Sequence, residues 1–255
     1  MIQRLLLFWP CAKTKLISVS ELIRPSTQLP GLRQQFTFKT ADGLNLFGEV
    51  AMPTSGNLAN AILCLHPLPT HGGMMDSHIF KKAANRLPAL ADITVIRFNT
   101  RGTQSQDGKS EGSFGGGISE REDVIAAINY TFENIGVTSL WIVGWSFGTD
   151  LALKYGHDFR VKGLILLSPP LRFSEKADLD FWRVDGRPIL ALVPELDDYL
   201  KPDGAREKFA IIPSAEIIAV DGAKHLWVGE PYVHRVLSEI TRVVYPTKLP
   251  LPLEY

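Results

Sequence analysis

A single serine stands between two glycines in the segment VGWSFGTDLALKYG, residues 143–156. An apolar run precedes it and a helical pattern follows, so Ser146 falls at a turn from a strand into a helix. Such a turn forces a strained backbone on the serine, at a cost of about 1–3 kcal/mol, and leaves little room for side chains at Gly144 and Gly148. It also places the Phe147 N–H at a helix N-terminus, facing developing negative charge. The segment predicts a nucleophile elbow; a serine that only caps the helix is the alternative.

The same glycine-x-serine-x-glycine pattern occurs again at DGKSEGS, residues 107–113. Ser110 lies in a polar, glycine-rich stretch with no strand before it and no helix after it, so we predict a solvated loop. A phosphate-binding loop is excluded because five residues, not four, separate Gly102 from Gly108, and because no helix N-terminus follows. The nucleophile is therefore expected at Ser146.

A serine nucleophile needs a base to take its proton and an acid to orient that base. His225 follows the last apolar run by a few residues and would lie at the carboxyl end of that strand. The other five histidines come too early in the chain or lie on or after helices: His66, His71, His78, His157 and His234. The preceding run ends in PELDDYLKP, which offers Asp197 and Asp198 as the acid. Asp221, on the His225 loop, is an alternative, whereas Asp185 precedes its strand and lies at the wrong end.

Short apolar runs alternate with helical patterns and supply the elements that must position these residues. Six runs are apolar almost throughout, as strands covered on both faces are. They span residues 61–66, 93–99, 140–144, 163–168, 188–194 and 215–220. A hairpin of alternating pattern, residues 35–40 and 46–53, precedes them. This order predicts an α/β fold with a mostly parallel eight-stranded sheet, helices on both faces and ligands at the carboxyl ends of the strands.

Local signals predict where several helices begin and end. Ser119 and Glu122 have the spacing of a capping box, and Gly136 suits a left-handed end to that helix. The helical pattern that starts near residue 77 is expected to stop at Pro88. The final helix, about residues 231–244, has a proline in its first turn, where a missing N–H costs nothing.

The order Ser146, Asp197, His225 resembles the α/β-hydrolase fold over nearly all of the chain after about residue 35. More narrowly, the chain is similar to a bacterial subgroup of small α/β-hydrolases related to dienelactone hydrolases. Three segments carry this resemblance: LHPLPTHGGMMDSHIF, VIRFNTRGTQSQDGKSEGSF and SEREDVIAAINY. The subgroup's pattern at the acid, Gly-Glu-x-Asp, is matched here except that Pro194 replaces the glycine. The resemblance therefore favours Asp197 over Asp198 as the acid. Because the two aspartates are adjacent, Asp198 stays open as an alternative.

The resemblance also implies roles for residues near the proposed triad. The second oxyanion-hole donor is expected to be the backbone N–H of Leu68, and one such donor is typically worth about 10²–10³ in rate. His66 and His71 either line the site or pack the loop. Arg101 is expected to tie loops together. Glu120, Glu122 and Asp123 crowd a helix N-terminus, where the helix dipole stabilises them without a catalytic role.

The implied activity is a serine esterase, in which an ester or thioester acylates Ser146 and water releases the acid. No cofactor or metal is expected, since no metal-ligand spacing is present. A dehalogenase of this fold would use an aspartate nucleophile. Two alternatives stay open: a non-catalytic binding protein of the same fold, and a peptidase that uses the same triad.

The region that usually carries a cap in this fold is short here. About seventeen residues, LRFSEKADLDFWRVDGR, separate two of the apolar runs, too few for a cap domain. We expect a short, partly helical lip bearing Phe181 and Trp182, and an open site for small or extended acyl substrates. Trp145 either walls the pocket or packs against its neighbours.

Composition sets the remaining expectations. The 255 residues suffice for one large α/β domain or two small ones, and 27 basic residues balance 27 acidic ones. We therefore expect a small-molecule substrate and no nucleic-acid partner. Cys11 and Cys64 cannot form a disulfide framework, and Cys64 lies in an apolar run as a buried thiol would, which fits a reducing, cytoplasmic setting.

The two ends of the chain differ from the rest. The apolar run LLLFWP, residues 5–10, is too short to span a membrane and lacks a small-residue cleavage site, so no membrane span or signal peptide is expected. A loosely attached tail, a membrane-surface segment and a start codon placed too early stay open. We predict an N-terminal tail over residues 1–34, a hydrolase domain over 35–245 and a proline-rich tail over 246–255 that lies extended or binds a partner.

Overall fold

Eight strands form one sheet in the computed structural model, which describes residues 20–255. The strands are β1 (Leu32–Lys39), β2 (Asn45–Met52), β3 (Ala61–Leu65), β4 (Thr94–Phe98), β5 (Leu140–Trp145), β6 (Val161–Leu167), β7 (Ile189–Pro194) and β8 (Ala215–Val220). Their order across the sheet is β1-β2-β4-β3-β5-β6-β7-β8. β1 and β2 form an antiparallel hairpin, β2 pairs antiparallel with β4, and the other pairs are parallel. The predicted mostly parallel eight-stranded sheet is confirmed.

Helices cover both faces of this sheet. They are α1 (His78–Ala91), α2 (Glu120–Tyr130), α3 (Phe147–Tyr155), α4 (Lys176–Asp185), α5 (Pro202–Phe209) and α6 (Glu230–Val244). Successive residues of a strand point to opposite faces. Leu63 therefore packs in the core under α2 to α5, and its neighbour Cys64 packs in the core under α1 and α6. Both strand faces are apolar because both are covered, which explains the continuous apolar runs.

Pro88 does not end α1, contrary to the prediction. The helix runs through it to Ala91. A proline inside a helix removes the hydrogen bond to the carbonyl four residues earlier. That carbonyl, of Ala84, instead accepts a hydrogen bond from Arg33 Nη2 at 2.8 Å. The arginine of β1 thus satisfies the group that the proline leaves unpaired.

The predicted capping box at α2 is also wrong. Ser119 has helical backbone angles and makes no side-chain capping bond. Glu120, the first residue of α2, has a buried carboxylate that accepts the N–H groups of Gly115 at 2.6 Å and Gly117 at 2.8 Å, and these bonds fix the loop before the helix. The predicted left-handed end is confirmed at Gly136, where φ is 82°, after a short π-helical stretch that extends α2.

Ser110 is buried, not solvated as predicted. Its hydroxyl donates to the carbonyl of Asn99 at 2.6 Å and accepts the N–H of Phe47 at 3.0 Å. These bonds tie the glycine-rich loop to β2 and to the end of β4, so Ser110 has a structural role there.

The C-terminal residues lie beside the first described ones. The N–H of Ile23 donates to the carbonyl of Leu253 at 2.8 Å, and Tyr255 N–H donates to Glu21 at 2.9 Å. Leu251 is buried against the core under α1 and α6. The apolar run at residues 5–10 and Cys11 lie outside the described residues, and the division of the chain into tails and domain stays a proposal. Within residues 20–255, no helix has both the length and the apolar character needed to cross a membrane.

Candidate active site

Ser146 occupies the sharp turn between β5 and α3. Its φ of 51° and ψ of −118° lie in a region that non-glycine residues rarely adopt, so the strain predicted from the sequence is present. A Cβ added to Gly144 would lie 2.4 Å from the carbonyl oxygen of Gly148, closer than any side chain tolerates. The two glycines are therefore required by contact within the turn itself.

Gly148 also brings α3 against the end of β3. A Cβ at this position would lie 1.9 Å from the carbonyl oxygen of Leu65 and 3.0 Å from that of His66. The chain continues from His66 into Pro67 and Leu68. The missing side chain at Gly148 therefore lets the start of α3 sit directly beside the loop that carries Leu68.

The structure brings three of the sequence-predicted residues into one hydrogen-bonded chain. His225 Nε2 lies 2.8 Å from Ser146 Oγ. On the other side of the ring, His225 Nδ1 lies 2.8 Å from Asp197 Oδ2 and 3.1 Å from its Oδ1. His225 and Asp197 are buried and Ser146 is half-buried. This arrangement can transfer a proton from the serine to the imidazole while the carboxylate fixes the ring.

Asp197, and not Asp198, is the carboxylate that reaches the histidine. Asp197 is 3% exposed, and its Oδ1 also accepts the N–H of Tyr199 at 2.8 Å. Asp198 and Asp221 are both exposed. The turn after β7 thus holds one carboxylate inward through a backbone amide and leaves its neighbour in solvent.

Two buried donors hold the backbone of His225. Its carbonyl oxygen accepts the Trp145 indole N–H at 3.2 Å and the Ser168 hydroxyl at 3.1 Å. Ser168 directly follows β6 and has a φ of 50°. Trp145 therefore does not line the cavity but packs beneath it. Ser168 was not predicted as a site residue, although its place at the carboxyl end of an apolar run marks it as a site position.

A cavity of about 120 Å³ opens beside Ser146. It is lined by Pro67, Leu68, His71, Ser146, Phe147, Pro170, Arg172, Phe173, Tyr199, His225 and Leu226. The backbone N–H of Phe147 is at the first position of α3, where a helix offers it no internal partner. Among the described residues the Leu68 N–H forms no backbone hydrogen bond. The two residues whose N–H groups are expected to face an oxyanion thus line the same cavity.

His66 and His71 differ in role. His66 is buried, with Nδ1 2.7 Å from the carbonyl of Pro67 and Nε2 accepting the N–H of Thr100 at 3.1 Å. Burial lowers the pKa of His66 to about 4, against the opposing effect of the Pro67 bond, so the ring is neutral. His66 packs the loop, whereas His71 is exposed and lines the cavity.

Arg101 ties loops together, as expected from the sequence. Its guanidinium forms ion pairs with Asp123 at 2.8 Å and with Asp42 at 2.9 Å. Burial opposes its charge, but the bonds to the two carboxylates raise the pKa of Arg101. These contacts connect the loop after β4 to α2 and to the turn of the hairpin.

The lip is partly helical, as predicted, but its aromatic residues face away from the site. Trp182 on α4 is fully buried and its indole donates to the carbonyl of Leu153 at 2.9 Å. Phe181 stacks on His157 with the ring centroids 3.8 Å apart. They pack on the far end of α3 because α4 lies alongside that helix. The residues that border the cavity are instead Arg172 and Phe173, before α4.

A buried carboxylate on α3 anchors this part of the lip. Asp150 Oδ1 accepts the N–H of Ser174 at 2.9 Å and its hydroxyl at 2.5 Å. Burial raises the pKa of Asp150, and the bonds from the lip oppose that rise. The chain before it turns through Leu171, whose φ is 51°.

The fold and this arrangement define a protein of the α/β-hydrolase type. The family described as the alpha/beta hydrolase fold matches residues 60–245, and the chain belongs to this family. None of the curated proteins gives a significant match to the sequence.

Solved structures of low sequence identity share the fold. An alpha-beta serine hydrolase homologue of Coxiella burnetii is 24% identical over 82% of this chain and 96% of its own, with a TM-score of 0.69. A serine hydrolase of Xanthomonas campestris described as having no lid is 23% identical over 89% and 100%, with a TM-score of 0.66. An esterase of Pyrococcus furiosus is 16% identical over 83% and 91%, with a TM-score of 0.69. At these identities the likeness establishes the fold alone.

Proposed function

We propose that this protein is a serine hydrolase that cleaves a carboxylic ester or thioester through an acyl-enzyme on Ser146, with His225 as base and Asp197 as the orienting acid. One observation carries the proposal: His225 lies 2.8 Å from Ser146 Oγ through Nε2 and 2.8 Å from Asp197 through Nδ1. A serine hydroxyl is a weak nucleophile until such a base is in reach. The esterase among the structural relatives agrees with this chemistry.

In the first half-reaction, Ser146 Oγ attacks the ester carbonyl while its proton passes to His225 Nε2. The carbonyl oxygen becomes an oxyanion, which the N–H groups of Phe147 and Leu68 stabilise. Asp197 keeps the proton on Nδ1 and stabilises the imidazolium. The C–O or C–S bond then breaks, and the proton on Nε2 goes to the leaving alcohol or thiol.

In the second half-reaction, water takes the place of the alcohol. His225 removes a proton from the water as its oxygen attacks the acyl carbonyl, and the same two N–H groups hold the second oxyanion. Breaking the bond to Ser146 Oγ releases the carboxylic acid and returns the proton to the serine. No group beyond this chain and water enters either step.

A fluorophosphonate probe tests this proposal directly. We expect covalent labelling at Ser146, located by peptide mass spectrometry, and hydrolysis of short 4-nitrophenyl esters. Ser146→Ala should lose both the labelling and the ester hydrolysis. Ser110→Ala, which removes the serine of the second glycine-x-serine-x-glycine segment, should lose neither. Well-folded protein that resists the probe and hydrolyses no ester would contradict the proposal.

A further inference from the structure

Arg172 carries the one permanent formal charge among the described residues that line the cavity. The other lining groups are apolar side chains, Ser146, Tyr199 and the histidines His71 and His225. No aspartate or glutamate is among them. The carboxylate of the proposed triad, Asp197, is covered by the imidazole of His225, to which it is hydrogen-bonded. A ligand in this cavity therefore meets a fixed positive charge and no exposed negative one.

The guanidinium of Arg172 has no anionic partner within the described chain. The next two arginines in the sequence do form ion pairs, Arg183 with Asp180 at 3.3 Å and Arg187 with Asp185 at 2.5 Å. No carboxylate of residues 20–255 pairs with Arg172. Residues 1–19 contain neither aspartate nor glutamate. Within residues 20–255, a ligand that binds this arginine thus has no carboxylate partner to displace.

Contacts on both sides restrain the segment that carries Arg172. Its guanidinium carbon lies 5.7 Å from the centroid of the Tyr199 ring, within the range of a cation–π contact. The Tyr199 ring in turn lies 4.6 Å from the His225 ring. Ser174, two residues later, is fixed to buried Asp150. The charge is therefore held one aromatic ring away from the proposed catalytic base.

We propose that Arg172 selects substrates with a carboxylate on the acyl side, namely half-esters or half-thioesters of short dicarboxylic acids. This inference rests on the proposed esterase function and names the substrate class of the same site. The cavity of about 120 Å³ holds a chain of about four water-sized groups. Leu68, Phe147 and Arg172 line this one cavity, so an acyl chain that extends from the scissile carbonyl into it shares the cavity with the guanidinium. Arginine binds a carboxylate through two parallel N–H donors, which gives both attraction and orientation.

The test compares two esters of the same shape and different charge. Monomethyl succinate carries the carboxylate, and methyl succinamate replaces it with a neutral amide. Released acid is followed at constant pH for the wild type and for Arg172→Gln, Arg172→Lys and Arg183→Gln. Arg183 is a matched control because it is an exposed arginine on α4 outside the cavity.

We expect the wild type to prefer the anionic ester by about tenfold or more in kcat/KM, as for other charge-assisted pairs. Arg172→Gln should lower that ratio by about tenfold. Arg172→Lys should keep only part of it, because the charge stays and the two parallel donors are lost. Arg183→Gln should leave it unchanged. Because Arg172 is exposed, added salt should also reduce the preference.

Hydrolysis of both esters with a ratio near one, or with a ratio that Arg172→Gln does not change, would overturn the role of Arg172 and leave the esterase function intact. If neither ester is hydrolysed and the fluorophosphonate does not label Ser146, both proposals fall together.

Discussion

The indole N–H of Trp145 is hydrogen-bonded to the carbonyl oxygen of His225 across 3.2 Å. Trp145 is the last residue of β5, directly before the serine. The residue that precedes the proposed nucleophile therefore holds the backbone of the proposed base. Ser168, at the end of the neighbouring strand, donates to the same oxygen. The loop that carries His225 is fixed by the two strands on which the site is built.

Replacing Ser168 with alanine should weaken this attachment. We expect a loss of about 1 kcal/mol in the free energy of unfolding, the usual size of one hydrogen bond, and a several-fold lower kcat as the imidazole loses its fixed position. Ser214→Ala is the matched control, since its hydroxyl also donates to a backbone carbonyl, that of Arg187 at 2.9 Å, away from the site. Urea unfolding and ester kinetics measure the two effects. Equal kcat in the two variants would show that Ser168 acts on stability alone.

The adjacent aspartates offer a direct comparison of position. Asp197→Asn should lower kcat by about 10⁴-fold, because the amide favours the wrong tautomer of His225. Asp198→Asn should stay within about threefold of the wild type, because Asp198 is exposed and makes no bond to the ring. Steady-state kinetics on one 4-nitrophenyl ester decides the matter. A larger loss of kcat in Asp198→Asn than in Asp197→Asn would assign the role of the acid to Asp198.

Leu68→Pro removes a single proposed oxyanion donor. The φ of Leu68 is −55°, which proline adopts without strain, and its N–H has no backbone partner in the described chain. We expect kcat/KM to fall by about 10²–10³ with the labelling site unchanged. Leu68→Ala shortens the side chain and keeps the N–H, so it should retain most activity. Similar losses in the two variants would mean that the side chain, and not the amide, matters at this position.

His66 makes the stability depend on pH in a predictable direction. Burial lowers the pKa of His66 to about 4, so the unfolded chain, with an ordinary value of about 6.5, takes up the proton first. The contribution of neutral His66 to the free energy of unfolding is therefore fully present above about pH 6.5, and it is lost as the pH is lowered toward 4. At 1.36 kcal/mol per pKa unit, the loss is about 3 kcal/mol. Urea unfolding measures this at pH 7.5 and at pH 4. Between these two pH values, the free energy of unfolding should fall by about 3 kcal/mol more in the wild type than in His66→Gln. Parallel curves for the two proteins would contradict it.

The strands were predictable because burial on both faces leaves a strong signal. Continuous apolar runs such as residues 163–168 need no partner to be recognised, and their order implies the parallel sheet. α5 was not predicted because its sequence, PDGAREKF, is only eight residues long and half of its residues are charged. Pro88 was misjudged because the bond that compensates for it comes from Arg33, about fifty residues earlier. No local pattern contains that contact.

At the site, the order of residues along the chain was enough to predict the proposed triad, whereas residues placed by packing could not be predicted. Ser146, His225 and Asp197 follow from a turn between a strand and a helix and from the ends of two later strands. Arg172 and Tyr199 could not be assigned in this way, since a cavity wall depends on how a loop turns. Leu171 adopts a positive φ, which leucine rarely does, and nothing in the sequence marks that turn.

The contact at Gly148 has a mechanical consequence. The two N–H groups proposed to hold the oxyanion come from loops about eighty positions apart in the chain, yet the elements that carry them touch backbone to backbone, with no side chain between them at Gly148 and Leu65. No rotamer change can alter their spacing. The pair of donors therefore behaves as one stiff part. Any adjustment to substrates of different size has to come from the other segments that line the cavity, among them residues 170–173.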